Sequence, residues 1–154
     1  MNKIKIKNFK KTLSKFVTGV TVVCVNHNNK IYGKTINSFN ALSLSPPLVL
    51  FSLGHKSSSI EAYSKSKYLS INILSNKQKN LSNHFSKKNP SSLKINFFDG
   101  KNNTKMINDC IANLECRLFK KIKMGDHLLF ICEVLYVNYN NKLKPLSYFN
   151  SKYN

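Results

Sequence analysis

The stretch Asn113–Asn140, NLECRLFKKIKMGDHLLFICEVLYVNYN, decides the architecture. Two long runs rich in β-branched, leucine and aromatic residues flank the pair Gly125-Asp126. A tight turn there folds the second run back on the first as an antiparallel hairpin. Upstream lie shorter runs of the same kind. VTVVCVNH (20–27) reads as a strand, NHNNK as a turn in which asparagine tolerates positive φ, and IYGKTINSF (31–39) as the partner strand. LVLFSLG (48–54), introduced by Pro46-Pro47, and YLSINIL (68–74) read as further strands.

Helical signals are few. Phe9, Leu13 and Phe16 share one face over residues 9–16, with Gly19 as the stop. SSSIEAYSK has Ser58 and Glu61 at capping-box spacing. NKQKNLSNHFSKK carries Leu81 and Phe85 four apart and is expected to end before Pro90. Residues 89–106 are polar and expected to be irregular, and the tail LSYFNSKYN is aromatic-rich. Six or so strands with two or three short helices do not alternate as βαβ units. They predict a mainly β fold, an antiparallel, Greek-key-like barrel with short flanking helices.

The 154 residues suit one domain, spanning 1–154, and 42% of them are hydrophobic. Twenty-five Lys+Arg against six Asp+Glu give a formal charge of +19. Nucleic-acid binding is one reading of that charge. Against it, Arg117 is the only arginine, and arginine is the residue that reads bases and phosphates bidentately. Abundant Lys, Asn and Ile instead suggest the drift of an AT-rich genome, so a nucleic-acid partner is not expected. Cys24, Cys110, Cys116 and Cys132 show no C-x-x-C or zinc-like spacing. They read as reduced thiols of a cytoplasmic protein, with no metal site. No segment has the apolar length of a membrane span, and no membrane association is expected.

Gly19, Gly33, Gly54, Gly100 and Gly125 form neither G-x-G-x-x-G nor a P-loop, so any nucleotide is bound without a Rossmann fold. Between Gly33 and Ser59 the chain has no carboxylate but many hydroxyls. Lys56-Ser57-Ser58-Ser59 before a helix offers a cation, hydroxyls and backbone N–H groups, the parts of a phosphate site or of a plain capped helix. Thr35, Asn37, Ser38 and Ser43 add neutral donors and acceptors, which are either ligand-binding or edge-strand polarity. His127 can contact a ligand at a barrel rim or simply bond Asp126. Tyr148, Phe149 and Tyr153 can stack on a ring or dock into the core.

The segments FVTGVTVVCV, YGKTINSFNALSLSPPLVLFSLGHKSSS, YLSINILSNKQKNLSNHFS, LECRLFKKIKMGDHLLFICEVLYV and PLSYFNSKY, in this order, resemble the flavin reductase-like family over roughly residues 9–153. These are short NAD(P)H:flavin oxidoreductases, the reductase components of two-component flavin monooxygenases. The resemblance implies an FMN-binding split barrel and a homodimer. It implies FMN or FAD as cofactor, NADH or NADPH as reductant, and a monooxygenase receiving reduced flavin. Thr35, Asn37 and Ser38 match the positions at the flavin ribityl and phosphate, and Ser43 the segment beside the isoalloxazine. Lys56, Ser57 and Ser58 match the phosphate loop, and Ser82 and Phe85 the helix closing over the cofactor. His127, Tyr148 and Tyr153 match positions near the nicotinamide dinucleotide. Ser151 stands where the family tail has glycine. No catalytic acid or base is expected, because hydride passes from nicotinamide to flavin N5 and the chemistry is the cofactors' own. Other readings are a flavin-bound reductase of another acceptor such as ferric iron, a flavin carrier without turnover, and a small basic nucleic-acid-binding barrel.

Overall fold

The computed structural model describes residues 4–88 and 92–154. In chain order the elements are α1 (Ile6–Leu13), β1 (Thr18–Gly19), β2 (Thr21–His27), β3 (Lys30–Ile36), β4 (Asn40–Leu44), β5 (Pro47–Gly54), α2 (Ile60–Lys65) and β6 (Tyr68–Ile73). A 3₁₀ turn at Asn76–Gln78 leads into α3 (Lys79–Ser86). The C-terminal half holds β7 (Phe97–Asp99), β8 (Lys105–Ile107), β9 (Ala112–Met124), β10 (His127–Tyr139), β11 (Ser147–Phe149) and β12 (Lys152–Tyr153).

Seven strands form one antiparallel sheet in the order β3-β2-β6-β9-β10-β5-β4. The expected hairpin at Gly125-Asp126 is its centre, with Gly125 at φ 57° and His127 opposite Met124. Register shifts at Ile131/Cys132 and Val134/Tyr136 let these 13-residue strands bend around the core. The turn after β2 is also as expected, Asn28 and Asn29 both having positive φ.

The sheet curls until its edge strand β3 approaches β5, and Ser38, in the connection between β3 and β4, pins the chain to β5. Its hydroxyl donates to the Ser52 carbonyl (3.2 Å) and accepts from the Ser52 N–H (3.0 Å). Inside, Val49, Phe51 and Leu53 of β5 face Val23, Ile71, Cys116 and Phe130. Phe51 and Phe130, paired in register, stack with centroids 4.9 Å apart. From α2, Tyr63 closes the end of the barrel, and its buried hydroxyl donates to the Val23 carbonyl (2.8 Å). A second apolar layer lies outside, where α3 and the tail cover Val20, Val22 and Cys24. Both faces of β2 are therefore buried, which is why its sequence is continuously apolar instead of alternating.

Three local expectations are corrected. The first helix is shifted to Ile6–Leu13, and none of its residues is buried. Ser58 and Glu61 form no capping box; Ser59 is the N-cap, with no side-chain cap bond, and Glu61 pairs with Lys65. A reciprocal closure occurs instead where Gln78 Oε1 accepts the Ser75 N–H (3.0 Å). Within 92–106, the segment expected to be irregular forms the β7–β8 hairpin, docked through buried Asn72. Asn72 Oδ1 accepts from the Ile107 N–H and from Asn113 Nδ2, both at 2.9 Å. The tail also forms strands, β11 and β12, in a sheet with β1. The expected helix end before Pro90 falls at Ser86; residues 89–91 themselves lie outside the described residues.

Candidate functional site

A cleft of about 910 Å³ opens between the free edge of β3, the loop after β5 and the C-terminal end of α3. That size suits a cofactor-sized ligand. Its floor is the loop Gly54–Ser59, whose folding follows from two successive turns. The Ser57 N–H donates to the Gly54 carbonyl (2.9 Å) and the Ile60 N–H to the Ser57 carbonyl (3.1 Å). The His55 N–H is taken by Asp126 across the barrel rim (3.0 Å). The amides of Lys56, Ser58 and Ser59 donate to no group among the described residues. Lys56 and Ser58 are exposed, and the Ser57 and Ser59 hydroxyls lie 3.3 Å apart. A lysine, three hydroxyls and three uncommitted N–H groups at the cleft floor are a donor set suited to a phosphate.

The facing wall is built by contact between α3 and β3. Phe85 lies flat against the backbone at Gly33, where any Cβ would collide with its ring. Glycine in mid-strand is required there by this close approach. His84 packs edge-on against Phe85, centroids 4.9 Å apart. Thr35 Oγ1 donates to the Ser82 carbonyl (2.7 Å), and the Ser82 hydroxyl is 2.9 Å from that of Tyr153. This relay fixes α3 between β3 and the tail.

Of the residues expected from sequence, Lys56, Ser57, Ser58 and Phe85 come together in the lining of the cleft. His127 stands at its rim, opposite Gly54, with Nδ1 donating to Asp126 Oδ1 at 2.7 Å. That bond, with the attraction of the imidazole, holds the Asp126 carboxyl below the ordinary carboxylate range. Thr35, Ser38 and Ser82 spend their hydroxyls within the fold. Tyr148 and Tyr153 pack edge-to-face, centroids 5.3 Å apart, against the outer apolar layer. Asn37 is exposed and Ser43 partly buried, and neither is among the residues lining the cleft. Sequence reasoning did not find Lys30, Tyr32, Lys34, His84, Lys87 and Lys88, which also line it. Only Gly33 carried a readable signal, an isolated glycine inside a strand.

Burial raises the thiol pKa of all four cysteines, with Cys110 and Cys132 pushed up to about 12. None is a thiolate nucleophile. The site thus offers hydrogen-bond donors, lysines and an aromatic wall, the equipment for holding a phosphorylated ring system.

An antiparallel split barrel with such a cleft at its seam is a cofactor-binding barrel. The chain belongs to the flavin reductase-like family, whose domain model, described as "Flavin reductase like domain", matches residues 13–154. It is 34% identical over 129 residues to the FMN reductase (NADH) SmoA of Agrobacterium fabrum, covering 84% of this chain and 74% of that protein. It is 28% identical over 145 residues to the reductase component of 4-hydroxyphenylacetate 3-monooxygenase of Thermus thermophilus, covering 94% and 93%. Among solved structures, the flavin reductase PheA2 in its native state superposes with a TM-score of 0.92 at 34% identity, covering 100% of this chain and 97% of that one.

Proposed function

We propose that this protein is an NAD(P)H-dependent flavin reductase that takes hydride from NADH or NADPH to FMN or FAD and hands reduced flavin to a partner monooxygenase or another acceptor. The observation that carries this reading is the loop Lys56–Ser59, with its uncommitted amides, at the floor of a cleft walled by Phe85. When bound, flavin and nicotinamide supply the redox chemistry themselves. The chain's task is to bind, orient and exclude water. Lys56, Ser57, Ser58 and the loop amides hold the flavin phosphate. Phe85, fixed on Gly33, gives the ring an apolar wall. His127, steadied through Nδ1 by Asp126, presents Nε2 at the rim where the second ring enters. Thr35, Ser82 and Tyr153 act together by keeping α3 in place over the cleft. Ser38 serves by closing the barrel seam, and Asn37, Ser43 and Tyr148 contribute from its margin. Hydride transfer between the two rings itself requires no side chain to gain or lose a proton.

The whole span 1–154 is read as one domain, since strands from both ends share the barrel and its flanking sheet. The buried, protonated cysteines suit the cytoplasm. Among the described residues, no helix is long and apolar enough to cross a membrane. A homodimer is favoured by α1, whose Ile6, Phe9 and Leu13 share one exposed face beside Phe16 (75% exposed).

The test is oxidation of NADH and NADPH by the purified protein, with and without added FMN or FAD. Oxidation that depends on added flavin is expected. Absence of turnover together with absence of flavin binding would sink the proposal.

A further inference from the structure

The position of the Phe85 wall depends on α3, and α3 is bonded to the last strand, where the Ser82 hydroxyl meets that of Tyr153 at 2.9 Å. Ser82 is fully buried, so this contact is shielded from water. The support of Tyr153 itself is slight. β12 is two residues long, and β11 is its one neighbour in the sheet. β11 is anchored from the other side, since buried Leu146 accepts from the Val20 N–H (3.2 Å) and donates to the Leu74 carbonyl (3.0 Å). β12 reaches β11 through a turn in which Asn150 and Ser151 both have positive φ. A ladder this short, closed by a turn that strains its serine, is marginal by itself.

The further support comes from just past the end of α1. Lys15 Nζ donates to Asn150 Oδ1 (2.8 Å), and the Ser14 carbonyl accepts the Asn150 N–H (2.9 Å). The same ammonium lies over the Phe149 ring, 6.0 Å from its centroid. Lys15 forms no ion pair among the described residues, so this turn is what its charge engages. A continuous path therefore runs from Lys15 to the turn, along β12 to Tyr153, to Ser82, and from the Ser82 carbonyl to Thr35 on β3 (2.7 Å). We propose that Lys15 and Asn150 are positioning residues for the flavin, which set the Phe85 wall by holding the tail hairpin against α3. This rests on the flavin-reductase reading, and it gives two residues outside the cleft lining a part in flavin affinity. With the hairpin docked, a change that only stabilises it leaves the wall where it stands. A cut tether instead frees Tyr153 from Ser82 and lets α3 move off β3.

The experiment compares the wild type with Lys15→Met, which keeps the aliphatic stem without a donor, and with Asn150→Gly, which removes the side-chain amide and still permits positive φ. Lys15→Arg restores the donor. Lys11→Met is the control, since it removes equal charge from an exposed position on α1. Hydrogen exchange of the α3 amides is followed by mass spectrometry in the absence of flavin. The dissociation constant of FMN is measured by flavin fluorescence, and kcat is measured at saturating FMN and NADH. In Lys15→Met and Asn150→Gly the α3 amides are expected to exchange roughly fivefold faster and FMN to bind roughly fivefold more weakly, while kcat changes by less than about twofold. Lys15→Arg and Lys11→Met should match the wild type in both. Tyr153→Phe cuts the path at its far end and should weaken FMN binding as much, and adding Lys15→Met to it should change nothing further. The proposal is overturned if α3 exchange or FMN affinity stays at the wild-type value in the tether variants. It is overturned equally if Lys11→Met loses as much as Lys15→Met, which would report only the field of a +19 chain, or if the losses of Lys15→Met and Tyr153→Phe multiply. A wild type that binds no flavin, with α3 exchange still answering to Lys15, would remove the flavin reading and leave the positioning of α3 standing.

Discussion

At the scale of single residues, several positions are set by backbone geometry that the sequence only partly advertises. Asn150 and Ser151 both have positive φ, 50° and 61°, in the two-residue turn that joins Phe149 to Lys152. Asparagine tolerates that region, whereas serine is strained there because its Cβ crowds the backbone. The glycine usual in the family at this point is thus explained by the turn itself, since a type I′ hairpin demands positive φ twice. Ser151→Gly is expected to stabilise the protein by about 0.5–1 kcal/mol, raising Tm by roughly 1–4 °C. Flavin affinity should not change, because the turn is not part of the cleft lining. Thermal melts of the two proteins, followed by circular dichroism, check this; an unchanged or lowered Tm would show that the turn is not strained. The turn is also tethered, since the Asn150 N–H donates to the Ser14 carbonyl (2.9 Å) and Lys15 Nζ to Asn150 Oδ1 (2.8 Å).

At the scale of elements, the β7–β8 hairpin is held by polar anchors beside the apolar packing of Phe97, Met106 and Ile107. Glu115 on β9 is buried, and Oε1 accepts from Thr104 Oγ1 (2.6 Å) and from the Asn102 N–H (2.8 Å). Burial alone would raise its pKa, but the hydrogen bonds outweigh burial and hold the carboxyl below the ordinary carboxylate range. A depressed folded-state pKa gives stability that is present above the unfolded value of about 4.3 and is lost as pH falls through the folded value. Glu115→Gln should therefore lower Tm at pH 7 by roughly 5 °C, for a loss on the order of 2 kcal/mol. The gap between the two proteins should close as pH drops from 5 toward 3. Parallel Tm–pH curves would refute the role of the charge. This hairpin was opaque in the sequence because its polar anchors look like ordinary strand polarity. Asn72 lies 35 residues from Ile107, and Asn113 and Glu115 on the following strand β9 show their role only when the fold brings all three under residues 99–107. The β9–β10 and β2–β3 hairpins were legible because local turn chemistry, Gly125-Asp126 and Asn28-Asn29, specifies them. The loop Lys56–Ser59 was legible in part as a candidate site, from its lysine and serines. The facing wall was not, because Lys34, Lys87 and Lys88 are indistinguishable in sequence from the many lysines scattered elsewhere.

At the scale of the whole molecule, two opposed forces meet. A chain with formal charge +19 repels a second copy of itself. Yet α1 leaves Ile6 (72% exposed), Phe9 (52%) and Leu13 (55%) on one uncovered face, with Ile4 and Phe16 alongside. Covering a large apolar side chain is worth about 1.5–3 kcal/mol, so a self-complementary contact through this face can offset the repulsion. The helix is tied at its C-terminal end to the tail turn through Ser14 and Lys15, which makes it a fixed platform and not a loose arm. The charge is screened by salt while apolar contact is not, so a dimer formed this way should tighten as ionic strength rises. Phosphate binding in the cleft should respond in the opposite direction, weakening with salt. Sedimentation velocity of the wild type is expected to give a species of twice 17.6 kDa, with a dissociation constant that falls between 50 mM and 500 mM sodium chloride. Phe9→Lys/Leu13→Lys should give a monomer at every salt concentration with its circular dichroism spectrum retained, since neither residue is buried within the chain. A dimer that survives this double substitution would place the contact elsewhere, and one that dissociates as salt is added would mean that ion pairs, not the apolar face of α1, hold the copies together.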